Sequence, residues 1–373
     1  MDDQLYTTSR VKSHARCPRL HHLQYDLGIQ TESSAAAAFG TAGHTALEAW
    51  YGALADGDQH ACLSAALATI DTSPLDAFDR AKLRVLVRGY DARWFDEFVD
   101  EYDNYLFDVL GVEVQFRYDL GGRIIGGKLD VLVRRLADRA IFVIEHKFTG
   151  SAIGDGEAYW ERLAIDTQCS IYLDGASVLT GEPVSGVIYD VIGKPGQKPF
   201  KATPLDRQTF TIGKGCKLCG GKKGEKGTGK MRAAGASLTF TDAPCSVCKG
   251  TGWQDAPRLH ADQRATDETP EEFEERITEI VAEDPDDVFK RAVIVRLDDE
   301  LPAVRRDLLE RIETIEHERK VAAPESLRAR NPDQCFAYGS VCPFFGACSG
   351  KADITDPIRF PRRGAHPELA VIP

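Results

Sequence analysis

Two pairs of cysteines have the spacing of a zinc site. Cys216 and Cys219 enclose two residues, Cys245 and Cys248 do the same, and glycines follow each pair. A Cys-x-x-Cys turn directs two thiolates at one ion, and glycine lets the following backbone amides approach the sulfurs. Two such pairs predict a structural zinc ribbon, with a redox dithiol as the alternative.

A second set of cysteines combines one N-terminal residue with three residues near the C-terminus. The set consists of Cys17, Cys335, Cys342 and Cys348. Three thiolates do not complete a four-thiolate site, and Cys17 is in a comparable setting, whereas Cys62 and Cys169 lie in apolar patterns typical of buried helices. The set is expected to bind a 4Fe–4S cluster, or zinc as the alternative, and so to join the two ends of the chain.

Charged residues also occur inside an apolar strand pattern. Residues 141–148 are apolar on both faces, yet Glu145 and Lys147 project side by side from one of them. An ion pair at the wet end of the strand is one interpretation. Asp130, on the preceding predicted strand, favours another, because two converging carboxylates attract a hard divalent cation such as Mg²⁺ or Mn²⁺.

Neighbouring helices carry further polar candidates. His44 follows Gly40 and Gly43 in an apolar helix and could supply a nitrogen ligand, although a lone helical histidine is more often a core residue. Gln168 and Tyr172 are four residues apart and therefore share a helix face.

These residues, in this order, resemble the motifs of the PD-(D/E)XK nuclease superfamily, specifically its RecB-like branch with the iron–sulfur nucleases of the AddB and CRISPR-associated adaptation type. The matching segments are G-x-x-x-H at 40–44, G-x-x-D at 127–130, E-x-K at 145–147, Q-x-x-x-Y at 168–172 and the one-plus-three cysteines. The resemblance covers residues 13–192 and 288–350. Leu129 stands where the name of the motif has proline.

The resemblance implies an α/β (α+β) fold, with a restriction-endonuclease-like core of a central mixed sheet flanked by helices. The ligands that it implies for Mg²⁺ or Mn²⁺ are His44, Asp130, Glu145 and the backbone carbonyl of His146. It further implies that Lys147 orients the attacking water or stabilises developing charge, and that Gln168 and Tyr172 position this lysine or the DNA backbone.

The resemblance also implies an activity, which is metal-dependent hydrolysis of DNA. Its relatives suggest an exonuclease that acts on ends or single strands in recombination or repair, in a bacterium or phage, with a helicase or recombination protein as a candidate partner. A non-catalytic DNA-binding scaffold subunit and a structure-specific endonuclease are the alternatives. A scaffold has no need to keep Asp130, Glu145 and Lys147 together.

The charge distribution adds a second candidate contact with DNA. The net charge of −12 argues against a protein that coats nucleic acid nonspecifically, but a basic block surrounds the first cysteine pair. Its cations are Lys214, Lys217, Lys222, Lys223, Lys226, Lys230 and Arg232. The Gly-rich loop that carries them could follow a phosphate backbone while Trp253 stacks on a base; a merely solvent-exposed loop is the alternative.

Hydrophobic periodicity and composition divide the chain. Helices are expected at 13–27, 35–54, 75–103, 159–179, 270–282 and 300–320, an antiparallel strand meander between 111 and 148, and strands at 185–192 and 288–295. The predicted regions are an N-terminal helical region (1–110), the core sheet and helix (111–200), a zinc-ribbon insertion (213–253), a C-terminal part of the core (265–350) and a tail (351–373).

Ten cysteines without a signal peptide or membrane span predict a reducing, cytoplasmic setting and no membrane partner.

Overall fold

The chain divides into two compact units. The computed structural model describes residues 5–31, 34–154, 156–232, 239–297, 299–321, 327–337, 341–362 and 369. The first unit comprises residues 1–196 and 274–373, and the second comprises residues 197–273. Within the described residues, no helix combines the length and the apolar character that a membrane crossing needs.

The bounds of the elements follow, in chain order. The helices are α1 (Thr8–Arg16), α2 (Pro18–His21), α3 (Ala35–Ala55), α4 (Cys62–Thr72), α5 (Ala77–Trp94), α6 (Ala158–Glu161), α7 (Thr167–Thr180), α8 (Pro270–Glu283), α9 (Glu300–Val321) and α10 (Phe345–Cys348). The strands are β1 (Leu5–Tyr6), β2 (Phe107–Leu120), β3 (Arg123–Arg135), β4 (Ile141–Thr149), β5 (Val184–Gly193), β6 (Lys214–Gly215), β7 (Lys230–Arg232), β8 (Phe240–Pro244), β9 (Trp253–Asp255) and β10 (Phe289–Ile294).

A mixed sheet forms the centre of the first unit. Its order is β1-β3-β4-β5-β10, and β2 pairs with β3 along the edge opposite β1 and β4. The predicted meander of β2, β3 and β4 is antiparallel, as expected, and β5 then pairs with β4 in parallel. The fold class predicted from the sequence is therefore confirmed.

One edge of β3 has an unpaired stretch between its contacts with β1 and β4, and this stretch positions an acidic side chain of the candidate site. On one edge β3 pairs with β1 at residues 124–125 and with β4 at residues 131–134. Residues 126–130 lie between these two contacts, beyond the end of the β3–β4 ladder. At this point an acidic side chain of β3 can reach the backbone of β4, because the two strands no longer bond to each other.

Helices cover both faces of the sheet, as the two-sided apolar pattern of β4 predicts. The helices α3 and α5 pack on one face, and α7 packs on the other with α9 behind it. Val143 on β4 and Val191 on β5 are completely buried on the α7 face. Consecutive residues of β4 therefore project into two different helix layers.

Two of the predicted helices are interrupted. The helix expected at 13–27 ends at Cys17, which has extended backbone angles, and restarts with Pro18 as the first residue of α2. Proline suits this position because its missing amide would have no helical partner there. The helix expected at 159–179 is broken at Asp166, whose side chain caps α7 by accepting from the backbone N of Gln168 at 2.7 Å.

The second unit contains short strands around cysteines. β6 pairs with β9 and β7 pairs with β8, both antiparallel. The buried cluster of this unit is formed by Cys216, Cys219, Cys245 and Cys248, with Phe240 packed against it. Because so few apolar side chains are buried in the cluster, the thiolates and whatever they bind must supply much of its cohesion.

Candidate active site

Asp130 lies in the gap beside β4 and accepts a hydrogen bond there. The backbone N of His146 donates to its Oδ2 at 2.8 Å, and Nδ1 of His44 lies 3.4 Å from the same oxygen. Burial by itself would raise the pKa of this carboxyl, but His44 and His146 hold it well below its usual range. Asp130 is therefore an ionised, buried carboxylate.

His44 reaches Asp130 because α3 approaches β4 closely. A Cβ atom on Gly43 would lie 2.4 Å from the ring of Phe148, whereas one on Gly40 would meet nothing within 4 Å. The second glycine of the motif is thus the one that the packing requires. Burial would lower the pKa of His44, but the Asp130 carboxylate outweighs it and raises that pKa.

Glu145, Lys147 and two residues of α7 form a second cluster on the other face of β4. Lys147 Nζ contacts Glu145 Oε1, and Gln168 Nε2 donates to the same oxygen at 2.7 Å and to Tyr172 Oη at 2.9 Å. The structure therefore brings together the four residues that the sequence analysis placed there. Burial and the charge of Asp130 raise the pKa of Glu145 to about 7.

Lys147 is a half-buried cation held by these carboxylates. Burial would lower its pKa, but Glu145 and Asp130 raise it well above its usual value. The ammonium therefore stays protonated, which makes it a fixed positive charge in the site rather than a base.

Glu113 is a site residue that the sequence analysis missed. Its carboxylate lies with the Asp130 carboxylate and the His44 imidazole in a group whose ligand atoms are all within 4.8 Å of one another. Glu113 faces Asp130 across the β2–β3 ladder, between the pairs Val112–Val131 and Val114–Leu129. Its φ of 53° is costly for glutamate, and strain of this kind is concentrated at functional sites.

One buried oxygen of the cluster makes no hydrogen bond. Glu145 uses Oε1 for both Lys147 and Gln168, while its Oε2 is buried without a partner among the described residues. A buried carboxylate oxygen without a donor is costly unless a cation fills the space. The charge of Asp130 acts on Glu145, although Glu145 is not part of the tight group of His44, Glu113 and Asp130. The imidazole and the carboxylates of that group are donors that suit a hard divalent cation.

The comparison with known families agrees with this geometry. A family model described as the PD-(D/E)XK nuclease superfamily matches residues 6–349. The chain belongs to the PD-(D/E)XK nuclease superfamily. Nucleases of this superfamily use divalent metals, and the match supports a hydrolytic nuclease. No curated protein matches the chain.

The PD-(D/E)XK chain carries a four-cysteine group in its second unit. Sγ of Cys216 lies 3.9 Å from that of Cys245, and Sγ of Cys219 lies 3.7 Å from that of Cys248. All four sulfurs are within 4.8 Å of one another. Tetrahedral zinc with bonds of about 2.3 Å separates its thiolates by about 3.8 Å, so the group could bind zinc.

As predicted, the backbone amide of a glycine approaches one of these sulfurs. The backbone N of Gly252, a residue with φ of 75°, donates to Cys248 Sγ at 3.3 Å. A Cβ at this position would lie 2.3 Å from a backbone oxygen. The hydrogen bond favours the thiolate form of Cys248, which is the form that binds a metal.

The second cysteine set converges without forming so tight a group. Burial raises the pKa of Cys342, and the neighbouring Cys335 and Cys17 raise it further. The pKa of Cys348 is raised in the same way by burial and by Cys342 and Cys17. These four sulfurs are not a group within 4.8 Å. Each thiolate of an iron–sulfur cluster binds a different iron, so a cluster needs wider spacing than one ion does.

The lysines of the insertion are exposed to solvent. Lys214, Lys217, Lys222, Lys223, Lys226 and Lys230 all lie on the surface of the second unit, and Lys230 forms an ion pair with Asp242 at 2.9 Å. The side chain of Arg232 lies outside the described part of the chain. Trp253 is half-buried, with its ring next to Gly213.

Proposed function

We propose that the protein is a Mg²⁺- or Mn²⁺-dependent DNA nuclease, and that it acts as an exonuclease on ends or single strands. The observation that carries the proposal is the contact of Lys147 and Gln168 with one oxygen of Glu145, beside the Asp130–His44 pair. A structural ion pair alone would not account for a second buried carboxylate, an imidazole and a donor-free carboxylate oxygen at the same place.

The ligands that we propose for the cation are the predicted residues and one more. They are His44, Asp130, Glu145, the backbone carbonyl of His146, and Glu113. When bound, a divalent cation acidifies water and withdraws charge from the scissile phosphate. Asp130 is already ionised, whereas Glu145 and His44 must each lose a proton to bind.

Lys147 acts as an electrostatic residue in this proposal. Its ammonium remains charged because two carboxylates lie close to it. A cation fixed in a water-poor site stabilises the negative charge that develops on the phosphate, and it can also orient the attacking water. Gln168 positions Glu145 through its amide, and Tyr172 positions Gln168 through its hydroxyl.

The choice of substrate depends on the resemblance to iron–sulfur nucleases of the RecB-like branch. It suggests DNA ends or single strands, a role in recombination or repair, and a helicase or recombination protein as partner. A structure-specific endonuclease would use the same side chains and differ in how DNA enters. Incubation with linear and circular DNA, single- and double-stranded, separates the two, because an exonuclease leaves closed circles intact.

The decisive experiment for catalysis is the variant Lys147→Met, assayed with Mn²⁺ on all four DNA substrates. We expect it to lose cleavage and to keep its zinc and iron. Lys320→Met, which removes an exposed lysine on α9, is the matched control and should cleave normally. Undiminished cleavage by folded Lys147→Met would refute the assignment, and inertness of the wild type on every substrate would favour the scaffold alternative.

We further propose that Cys17, Cys335, Cys342 and Cys348 bind a 4Fe–4S cluster. Cys17, Cys342 and Cys348 pack against one apolar cluster, and the resemblance to iron–sulfur nucleases favours an iron–sulfur cluster over a single zinc ion there. Anaerobically purified protein should be brown and contain about four irons per chain. Colourless protein with one additional zinc would instead support the zinc alternative.

We also propose that the zinc ribbon binds DNA through its exposed lysines. A DNA-binding protein releases counterions, so the logarithm of its affinity falls with the logarithm of salt, by about 0.7 to 0.9 per phosphate contact. Replacing Lys222 and Lys223 by glutamine should therefore reduce the slope by about 1.5. An unchanged slope would support the alternative of a solvent-exposed loop.

A further inference from the structure

A buried polar network lies behind β4, on the face away from Glu145 and Lys147. His146 projects into it because alternate residues of a strand point to opposite faces. His146 is 1% exposed, Tyr90 of α5 is 0% exposed, and Asp190 of β5, the register partner of His146, is 0% exposed. Polar groups buried this deeply must satisfy one another, since water does not reach them.

The hydroxyl of Tyr90 is the hub of this network. Its oxygen lies 2.9 Å from Asp190 Oδ2, 3.2 Å from His146 Nε2 and 2.7 Å from the hydroxyl of Tyr51. Arg291 donates to Asp190 Oδ2 at 2.6 Å and to the Tyr90 oxygen at 3.2 Å. Tyr51, His146, Asp190 and Arg291 thus all contact the Tyr90 oxygen, and Arg291 also binds Asp190.

The number of available protons assigns the donors. Arg291 and Tyr90 both donate to Asp190 Oδ2. Tyr90 has one hydroxyl proton, and it goes to Asp190. The Tyr90 oxygen is then an acceptor shared among Tyr51, Arg291 and His146, and its contact with His146 at 3.2 Å is a hydrogen bond from Nε2–H. The ring of His146 is held in one orientation by this bond.

The orientation of His146 matters because the same residue binds Asp130. Its backbone N donates to Asp130 Oδ2 at 2.8 Å, and its Nδ1 lies 3.5 Å from that oxygen. Anchoring the ring therefore fixes the main chain at the point where it positions the carboxylate. Neighbours of a metal ligand commonly set its orientation in this way.

We propose that Tyr90 and Asp190 are positioning residues, which act through His146 to hold Asp130 in the orientation that binds the divalent cation. This inference rests on the proposed function, because Asp130 is the ligand that is positioned. Packing alone does not require the network, since apolar side chains of similar volume can replace buried polar groups with little loss of stability.

The test is the Mn²⁺ affinity of the purified full-length chain without DNA, measured by titration with electron paramagnetic resonance detection. Tyr90→Phe removes the hub hydroxyl and keeps the ring. We expect its affinity to fall by about tenfold to a hundredfold, the usual effect of losing a partner of a metal ligand. Tyr51→Phe is the graded comparison, because its hydroxyl bonds to the Tyr90 oxygen and not to Asp190 or His146; it should lose less affinity than Tyr90→Phe.

Further variants distinguish a wrong metal site from a wrong positioning role of Tyr90. Asp130→Ala identifies the Mn²⁺ that belongs to this site; if it loses none, the proposed metal site is wrong, whatever Tyr90 does. If Asp130→Ala loses Mn²⁺ while folded Tyr90→Phe keeps wild-type affinity, only the positioning role is refuted. If Tyr90→Phe does not fold, His146→Phe replaces it and should show the same loss. Failure of both to fold, beside a folded Tyr51→Phe, would make the network structural and overturn the proposal.

Discussion

Gln168 donates from Nε2 to Oε1 of Glu145 at 2.7 Å, the same oxygen that Lys147 contacts. The two donors leave Glu145 only Oε2 for another partner, and this atom has none among the described residues. The amide of Gln168 therefore does more than fill space on α7. It holds the carboxylate in one orientation, in which Oε2 is the oxygen left for a cation.

Replacing Gln168 by alanine should lower kcat for DNA cleavage by about tenfold to a hundredfold, because Glu145 would lose the donor that orients it. KM for DNA should change little, since Gln168 acts on the carboxylate. Tyr172→Phe is the comparison: it keeps the ring and removes a hydroxyl that binds Gln168 but not Glu145. Steady-state kinetics should give the smaller loss for Tyr172→Phe, and a larger loss there would contradict this order.

Mn²⁺ affinity should fall as the pH drops below about 7, where Glu145 gains a proton. The pKa of His44 is raised as well, by Asp130, whereas Asp130 stays ionised because its own pKa is well below the usual range. Binding must therefore displace up to two protons, which predicts a loss of about tenfold per pH unit for each proton. Titrations between about pH 5 and pH 8 check this, and Glu145→Gln should show a shallower slope. Equal slopes for both proteins would exclude Glu145 as the source.

Glu113→Gln should weaken Mn²⁺ binding by about tenfold or more, because it removes one charged ligand from the group with His44 and Asp130. The matched control is Glu48→Gln. Glu48 is an acid of α3 whose pKa is raised by desolvation and by the nearby charge of Glu113, but it is not part of that group. Calorimetric titration should show a clear difference between the two variants. Similar affinities for both would mean that only the general negative charge matters.

Cys216→Ser should release one zinc ion per chain and open the second unit, whose buried cluster is made of the four cysteines. Limited proteolysis should then cut between residues 197 and 273, the span of that unit. Cys62→Ser provides the control, since Cys62 is buried in α4 far along the chain from either cysteine set. Retention of zinc and of protease resistance in Cys216→Ser would show that the group does not bind zinc.

The sequence predicted most of the elements because their signals are local. The apolar residues of β4 and the glycines around β3 suffice to place three antiparallel strands, and the helix from Ala35 was predicted to within one residue at its end. The interruption at Pro18 also has a local cause, since a proline marks a helix start. It was missed because the apolar periodicity continues across it.

Glu113 could not be predicted in the same way. In the sequence it is an ordinary polar residue of an alternating strand, two residues after Gly111 and without a motif of its own. Its approach to Asp130 depends on a bulge between Val109 and Gly111 and on a positive φ, which follow from pairing with β3. The Tyr90–His146–Asp190 contacts likewise join residues 56 and 100 positions apart, beyond the reach of any local pattern.

The two ends of the chain are joined by backbone hydrogen bonds. The amide of Arg19 donates to the carbonyl of Ala329 at 3.0 Å, and that of Gln30 donates to Pro361 at 2.9 Å. During synthesis the early residues leave the ribosome long before these partners exist. The layer around Cys17 can therefore close only once residues 329–361 have been made and have left the ribosome, so this part of the fold is among the last to be completed.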